Sequence, residues 1–223
     1  MPTALIIGAS RGIGHEFVRQ YRADGWRVLA TARDQAGLDR LDALGAECFA
    51  LDLLDPASVS GLEWRLDGVS LDVAVVNAGV YGPNQSGLEA PSRDDFDTVM
   101  RTNVLGPMRV IPQLADALAP GGRLAVMSSR MGSISERSAS SGWLYRASKA
   151  ALNSVLKDAS LAFAARGGIC VALHPGWVRT DMGGPQADLD VQESVAGLRG
   201  VLASLTASDN GGFRDFDGGD IPW

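Results

Sequence analysis

A phenol and an ammonium four residues apart are the first chemistry met in this chain: "YRASKAAL" sets Tyr145 and Lys149 one helical turn apart. Residues at i and i+4 share a helix face, so the two side chains can meet, although the same spacing also occurs on ordinary solvated helices. A free tyrosine, with a pKa of about 10, is a poor base near neutrality, and a neighbouring ammonium favours its phenolate. Beside a substrate oxygen, such a pair can exchange a proton. A second feature is "GASRGIG", with glycines at 8, 12 and 14. Glycines permit a tight turn and let backbone N–H groups approach a pyrophosphate, while the N-terminus of a following helix attracts the anion. The spacing is not that of the commonest dinucleotide fingerprint. Its position, after a first strand and at the start of a first helix, is what points to a dinucleotide rather than to a plain packing turn.

The elements that would hold these residues can be read from the apolar pattern. Strand-length runs ("TALIIGA", "WRVLATA", "ECFALDL", "LDVAVVNAG", "RLAVMSS", "ICVALHPG") alternate with helical stretches ("GIGHEFVRQYRADG", "GLDRLDALG", "ASVSGLEWRL", the segment after Tyr145, "ESVAGLRGVLASL"). Near-continuous apolar strands separated by amphipathic helices predict an α/β fold: a doubly wound parallel sheet with helices on both faces. Asp55 before Pro56 and Ser92 in "SRDD" are helix starts, and Gly25, Gly45 and Gly167 are helix ends. Pro107 and Pro112 should bend or restart the helix after Asn103. No repeat, low-complexity tract or linker divides the chain, so residues 1–223 are read as one domain.

Bulk properties agree. Of 223 residues, 46% are hydrophobic and 21% charged, enough for a substantial core. The formal net charge of −6 disfavours nonspecific attraction to nucleic acid or an anionic membrane. Cys48 and Cys170 sit in strand-like segments without metal-binding spacing and read as buried free thiols, and no metal site is expected. Strand-like sequence from the third residue and the lack of a bilayer-length apolar run point to the cytoplasm.

The second strand speaks to the cofactor. A free ribose 2′-hydroxyl is usually held by an acid at that strand's end, but here the run "ATAR" has Ala32 in that region and Arg33 next to it. Arg11, inside the glycine loop, can approach the same place. Two guanidiniums facing a 2′-phosphate favour NADP(H) over NAD(H), partly offset by Asp34.

In order along the chain stand "GASRGIG", Asp52 in "LDL", "NAG" at 77–79, Asn103 in "TNVLG", "SS" at 128–129, "YRASK" at 145–149 and "HPGWVRTDMGG" from 174. This ordered set, over essentially the whole length, resembles the short-chain dehydrogenase/reductase superfamily. "SSRMGS", "LHPGWVRTDMGG" and "DGGDIPW" more narrowly resemble its carbonyl reductases of the sniffer and C-factor type. The resemblance implies a Rossmann sheet with Tyr145 as catalytic acid or base, Lys149 as its activator, Ser129 as the hydroxyl on the substrate carbonyl and Asn103 in a proton relay. It implies cofactor contacts from Gly8, Ser10, Arg11, Gly12, Ile13, Gly14, Arg33, Asp52, Leu53, Asn77, Ala78, Gly79, Tyr145, Lys149, Pro175, Gly176, Val178 and Thr180. Together with the nicotinamide charge, the ammonium should draw the pKa of Tyr145 down toward the working range. Ser128 and Ser133 are alternatives to Ser129, Asn103 has a structural alternative at the helix bend, and Thr180 can be a turn residue. His15 and His174 stay outside the chemistry, His174 as a structural hydrogen-bonder.

The serine-rich loop "RMGSISERSASSGWL" between Ser129 and Tyr145 should shape the substrate pocket, with Trp143 and Leu144 as candidate walls. "DMGGPQADLDVQES" is short for a substrate lid. The expected activity is NADP(H)-dependent reduction of a small aldehyde or ketone, or the reverse. The competing class is a nucleotide-binding signalling module on the same fold. A homodimer or homotetramer is expected through the helices after "APSRDD" and after Tyr145.

Overall fold

The structure is a computed structural model describing residues 1–84 and 86–223. Seven strands, β1 (Thr3–Ile7), β2 (Arg27–Ala32), β3 (Glu47–Ala50), β4 (Leu71–Val76), β5 (Leu118–Met127), β6 (Ile169–His174) and β7 (Gly212–Asp215), form one sheet in the order β3-β2-β1-β4-β5-β6-β7. Every neighbouring pair is parallel, which confirms the doubly wound fold. The strand order reverses between β1 and β4. In open α/β sheets the crevice beyond the strands' carboxyl ends at such a point is where ligands bind.

The alternation of side chains along β1 explains the two cores. Ala4 and Ile6 point to one face, where Phe17, Val18, Val195, Leu198 and Val201 cover them. Leu5 and Ile7 point to the other, toward Leu114, Leu152, Leu156 and Phe163. The first cover comes from α1 (Gly12–Ala23) and α8 (Val191–Ser204). The second comes largely from α7 (Trp143–Ala164), whose Leu152, Leu156, Ala159 and Phe163 make the stripe expected of a 3.6-residue period. Smaller helices complete the layers: α2 (Gln35–Asp42), α3 (Pro56–Ser60), α4 (Leu62–Arg65), α5 (Arg93–Met100) and α6 (Gly106–Val110).

Local punctuation follows the sequence closely. Asp55 caps α3 by accepting from Ala57 N–H, and Ser92 caps α5 by accepting from Asp95 N–H. Gly25, Gly45 and Gly167 all take left-handed φ past helix ends. The helix after Ser92 does restart at its prolines. A π turn runs over Arg101–Leu105, α6 begins at Gly106, and a 3₁₀ turn takes over at Ile111–Leu114. Pro107 cannot donate to the carbonyl four residues back, that of Asn103, so the helix widens there.

Two features depart from expectation. "ASVSGLEWRL" divides at Gly61 into the short α3 and α4 instead of forming one helix. β7 went unread, because "GFRD" offers one apolar residue, Phe213, among polar ones. The tail after it folds back. Ile221 N–H donates to Phe213 O (2.9 Å), Asp215 N–H donates to Gly219 O (2.8 Å), and Trp223 stacks on Phe213 at 5.4 Å between centroids. Cys170 is buried, Cys48 is half-buried, and both are free. Among the described residues no acidic, histidine or cysteine group could hold a metal, and no helix is long and apolar enough to cross a membrane.

Candidate active site

Beyond the carboxyl ends of β1 and β4 lies a cleft of about 460 Å³. Its walls include Gly8, Ser10, Arg11, Gly12, Ile13, Arg33, Asp52, Leu53, Asn77, Ala78, Gly79, Tyr145, Lys149, Pro175 and Thr180. Gly14, Asn103, Ser129, Gly176 and Val178 stand behind or beside these walls. Thr102, Arg179, Asp181 and Met182 join the lining without having been singled out in the sequence.

The floor is built by close approach. A Cβ on Gly14 would lie 2.4 Å from Gly8 O, and one on Gly8 would lie 2.8 Å from Ala78, so only glycine lets α1 and the "NAG" segment press against the first turn. Asn77 donates from Nδ2 to Gly8 O (2.8 Å) and ties the two segments together. The N-cap of α1 is Arg11, whose side chain caps nothing, so the first-turn N–H groups are left for an anion at the positive end of the helix. This uncapped turn, opening on a cleft lined by glycines, fits a dinucleotide pyrophosphate.

Arg11 and Arg33 both reach the cleft, where the sequence placed them. Arg11 also pairs with Asp181, an exposed contact between the glycine loop and the loop after β6. Arg40, missed in the sequence, donates from Nε to Ser10 O (3.1 Å). Asp34 is engaged elsewhere: it caps α2, accepting from Gly37 N–H at 2.7 Å. Asp52 accepts from Leu54 N–H (2.9 Å) and fixes its own turn. Thr180 lies on the wall and is also a turn residue, its hydroxyl accepting from Gly183 N–H at 3.1 Å. Val178 is buried and pairs in a bridge with Leu189.

The reactive groups gather where β4, β5 and α7 meet. Lys149, 3% exposed, donates from Nζ to Met127 O (2.8 Å) and sits 5.5 Å from the centroid of the Tyr145 ring. Asn103, on the π turn, holds Val80 in both directions, accepting from its N–H and donating to its C=O, each at 2.8 Å, and donates to Ser148 Oγ at 3.0 Å. Both amide and ammonium come near Gly79, where a Cβ would be 3.3 Å from each. The serine alternatives separate clearly. Ser128 turns to Asn153 Oδ1 (2.5 Å), Ser133 turns to Pro222 O (2.6 Å), and Ser129 is left beside the phenol.

In the protein alone, without the nicotinamide charge on which the expected lowering of the Tyr145 pKa also depends, burial dominates the electrostatics. Burial pushes Tyr145 up to about 12, with the Ser129 hydroxyl opposing it, and the same burial pushes Lys149 down to about 8. Depth of burial, which spacing does not reveal, is the largest cause of both shifts. The phenol is therefore held in its protonated form. His174 is not the hydrogen-bonder expected: its buried Nδ1 has no partner among the described residues, and burial lowers its pKa to about 4.

A stability prediction follows from Lys149. Its folded pKa of about 8 lies below the ordinary 10.5, so the unfolded chain binds more protons between those values and stability rises with pH across that window. From pH 10 upward the raised Tyr145 pKa opposes the rise. The unfolding free energy of the protein alone, read from denaturant melts, should climb from pH 8 to 10 relative to Lys149→Met, by at most about 1.4 kcal/mol per pH unit. Parallel curves for the two proteins would refute this.

The sequence profile of the short chain dehydrogenase family matches residues 2–189. The chain belongs to that family. Like its relatives, this short-chain dehydrogenase is an oxidoreductase. It is 40% identical to the C-signal protein of Myxococcus xanthus over 159 residues, covering 69% of this chain and 93% of that one. Among solved structures, a short-chain dehydrogenase/reductase from Burkholderia multivorans with bound NADP superposes with a TM-score of 0.90 at 37% identity, covering 100% of this chain and 99% of the other. The carbonyl reductase Sniffer of D. melanogaster also gives a TM-score of 0.90, at 28% identity, with 100% of both chains covered.

Proposed function

We propose that this short-chain dehydrogenase is an NADP(H)-dependent carbonyl reductase that converts an aldehyde or ketone to the alcohol, or runs the reverse reaction, with Tyr145 as general acid or base. The observation that carries this is a buried phenol beside Ser129 and Lys149, in the wall of a cleft whose floor fits a dinucleotide. A bound nicotinamide would supply hydride to the carbonyl carbon. Tyr145, holding its proton on Oη, gives it to the carbonyl oxygen as that atom gains charge. Ser129 donates a hydrogen bond to the same oxygen. Lys149, anchored on Met127 O, keeps a donor and positive charge beside the ring once the proton has left. Asn103 joins the loop after β4 to α7 through Val80 and Ser148, which gives its structural role a firm basis beside any part in proton relay.

Arg11 and Arg33 would receive a 2′-phosphate. Use of Asp34 as the cap of α2 supports this, since its carboxylate is then turned to Gly37 N–H. The NADP bound to the Burkholderia relative and the carbonyl reductase activity named for Sniffer agree.

The test is the initial rate of NADPH and NADH oxidation over a panel of aldehydes and ketones, with wild type beside Arg33→Ala. NADPH should be preferred. Loss of one charge-assisted contact, about 1.5–3 kcal/mol, should raise the KM for NADPH at least about tenfold and leave that for NADH unmoved. A protein that binds NADPH and reduces nothing would favour a nucleotide-binding signalling role, the reading that similarity to C-signal raises.

A further inference from the structure

Tyr81, directly after the Val80 held by Asn103, has no part in the chemistry described so far. Its ring lies on that of Tyr145, with centroids 4.7 Å apart and planes tilted by 31°. Both ends of the residue are fixed. On the backbone side, Val80 is bonded through N–H and C=O to Asn103. The next residue, Gly82, has φ +83° and no room for a side chain, since a Cβ would stand 2.5 Å from Val99 Cγ2. At the far end the hydroxyl lies against Gly142, the left-handed N-cap of α7, where a Cβ would be 2.7 Å from Tyr81 Oη and 3.2 Å from Met131 Cε. Tyr81 therefore spans from the π turn of Asn103 to the first turn of the helix that carries Tyr145.

We propose that Tyr81 is a positioning residue for Tyr145: its stacked ring covers the phenol against water and fixes the direction in which the phenol presents its proton to the substrate. This rests on the reading of Tyr145 as the proton donor. Tilted aromatic pairs at this separation are mutually attractive, and Tyr145 beneath the stack is 8% exposed. The groups that face the phenol are few. Lys149 comes from its own helix, the Ser129 hydroxyl from the end of β5, and Tyr81 from the loop after β4; among the described residues no carboxylate acts on it. Removing Tyr81 admits water to the phenol and takes away the smaller electrostatic push of the Tyr81 hydroxyl, which acts in the same direction, so the phenolate becomes easier to form.

The experiment compares Tyr81→Ala, Tyr81→Leu and Tyr81→Phe with wild type in three readouts: NADPH affinity by fluorescence, kcat for carbonyl reduction, and the pH midpoint of alcohol oxidation with NADP⁺. Tyr81→Leu fills the space without a flat ring and covers the case in which the alanine variant folds poorly. Expected are a fall in kcat of about tenfold or more, in keeping with the cost of small misplacements, and a midpoint moved to lower pH in the alanine and leucine variants, with NADPH affinity retained. Tyr81→Phe, which keeps the covering ring and loses only the smaller electrostatic push of the hydroxyl, should move the midpoint much less than either. Wild-type kcat and midpoint in the alanine and leucine variants, with only KM raised, would make Tyr81 a mere pocket wall and overturn the proposal. A midpoint moved equally by phenylalanine would assign the effect to the hydroxyl and overturn it too. Tyr145→Phe is run in parallel: turnover surviving in that variant would sink the assignment of Tyr145 itself, separately from anything the Tyr81 series does.

Discussion

Tyr145→Phe should leave a folded protein that still binds NADPH, with affinity lowered at most about tenfold by the loss of one hydroxyl contact, and reduces carbonyl compounds at least about a thousandfold more slowly, within the range that positioned proton transfer contributes. The substitution removes one oxygen from a ring that is otherwise packed against Tyr81 and flanked by Lys149, so the buried volume and the stack stay as they are. What goes is the proton that burial holds on Oη. Stopped-flow measurement of NADPH oxidation with a reactive aldehyde, beside a fluorescence titration of NADPH, separates the two effects. A variant retaining a tenth of the wild-type rate would mean that another group or a water delivers the proton, and Tyr145 would lose its assignment.

The second large effect is expected at Gly14→Val. The nearest atoms to a Cβ at this position are Gly8 O at 2.4 Å, Asn77 Nδ2 at 2.8 Å and the Cα of Ala9 at 2.9 Å. Two of the three belong to backbone of the same loop and cannot rotate aside. Valine adds two further methyl groups to that crowding. The start of α1 must move away from the end of β1, and the bond from Asn77 to Gly8 O stretches or breaks. Overpacking of this kind costs about 1–3 kcal/mol in stability. NADPH affinity should fall about a hundredfold or more, because the first-turn N–H groups no longer point where the phosphates lie. Calorimetric titration checks the affinity and thermal melting the stability. Wild-type affinity would show that this turn does not receive the cofactor.

How far the residues announced all this depends on what each one is asked to encode. β1, β4, β5 and β6 were legible because both of their faces are buried, which forces long apolar runs such as "LIIG" and "VAVV". The prolines at 107 and 112 were legible because a missing N–H acts locally, wherever the helix packs. β7 was not, since one phenylalanine suffices to seat a four-residue edge strand. The break at Gly61 escaped for a related reason: α3 and α4 are short, and neither shows a full apolar period. Within the site, spacing along one helix delivered Tyr145 and Lys149 together, and the ordered motifs placed Ser129 beside them. The direction of their titration was out of reach, because it depends on how deeply three separate segments bury the pair. Tyr81 was invisible for the same reason: it meets Tyr145 only after β4, the π turn and the N-terminus of α7 have come together. The partnership of Arg11 with Asp181 likewise joins loops from opposite ends of the chain.

The returning tail after β7 has one more consequence. An edge strand ordinarily presents a row of unsatisfied amides and carbonyls that another polypeptide can pair with. Here two such groups on the last strand are already taken, the carbonyl of Phe213 by Ile221 and the amide of Asp215 by Gly219, while Arg214 is held by Asp209 on one side and Asp220 on the other. A second molecule approaching that margin meets charge and spent hydrogen-bonding capacity, so sheet-to-sheet growth into a fibre is blocked there by residues that lie outside the catalytic cleft.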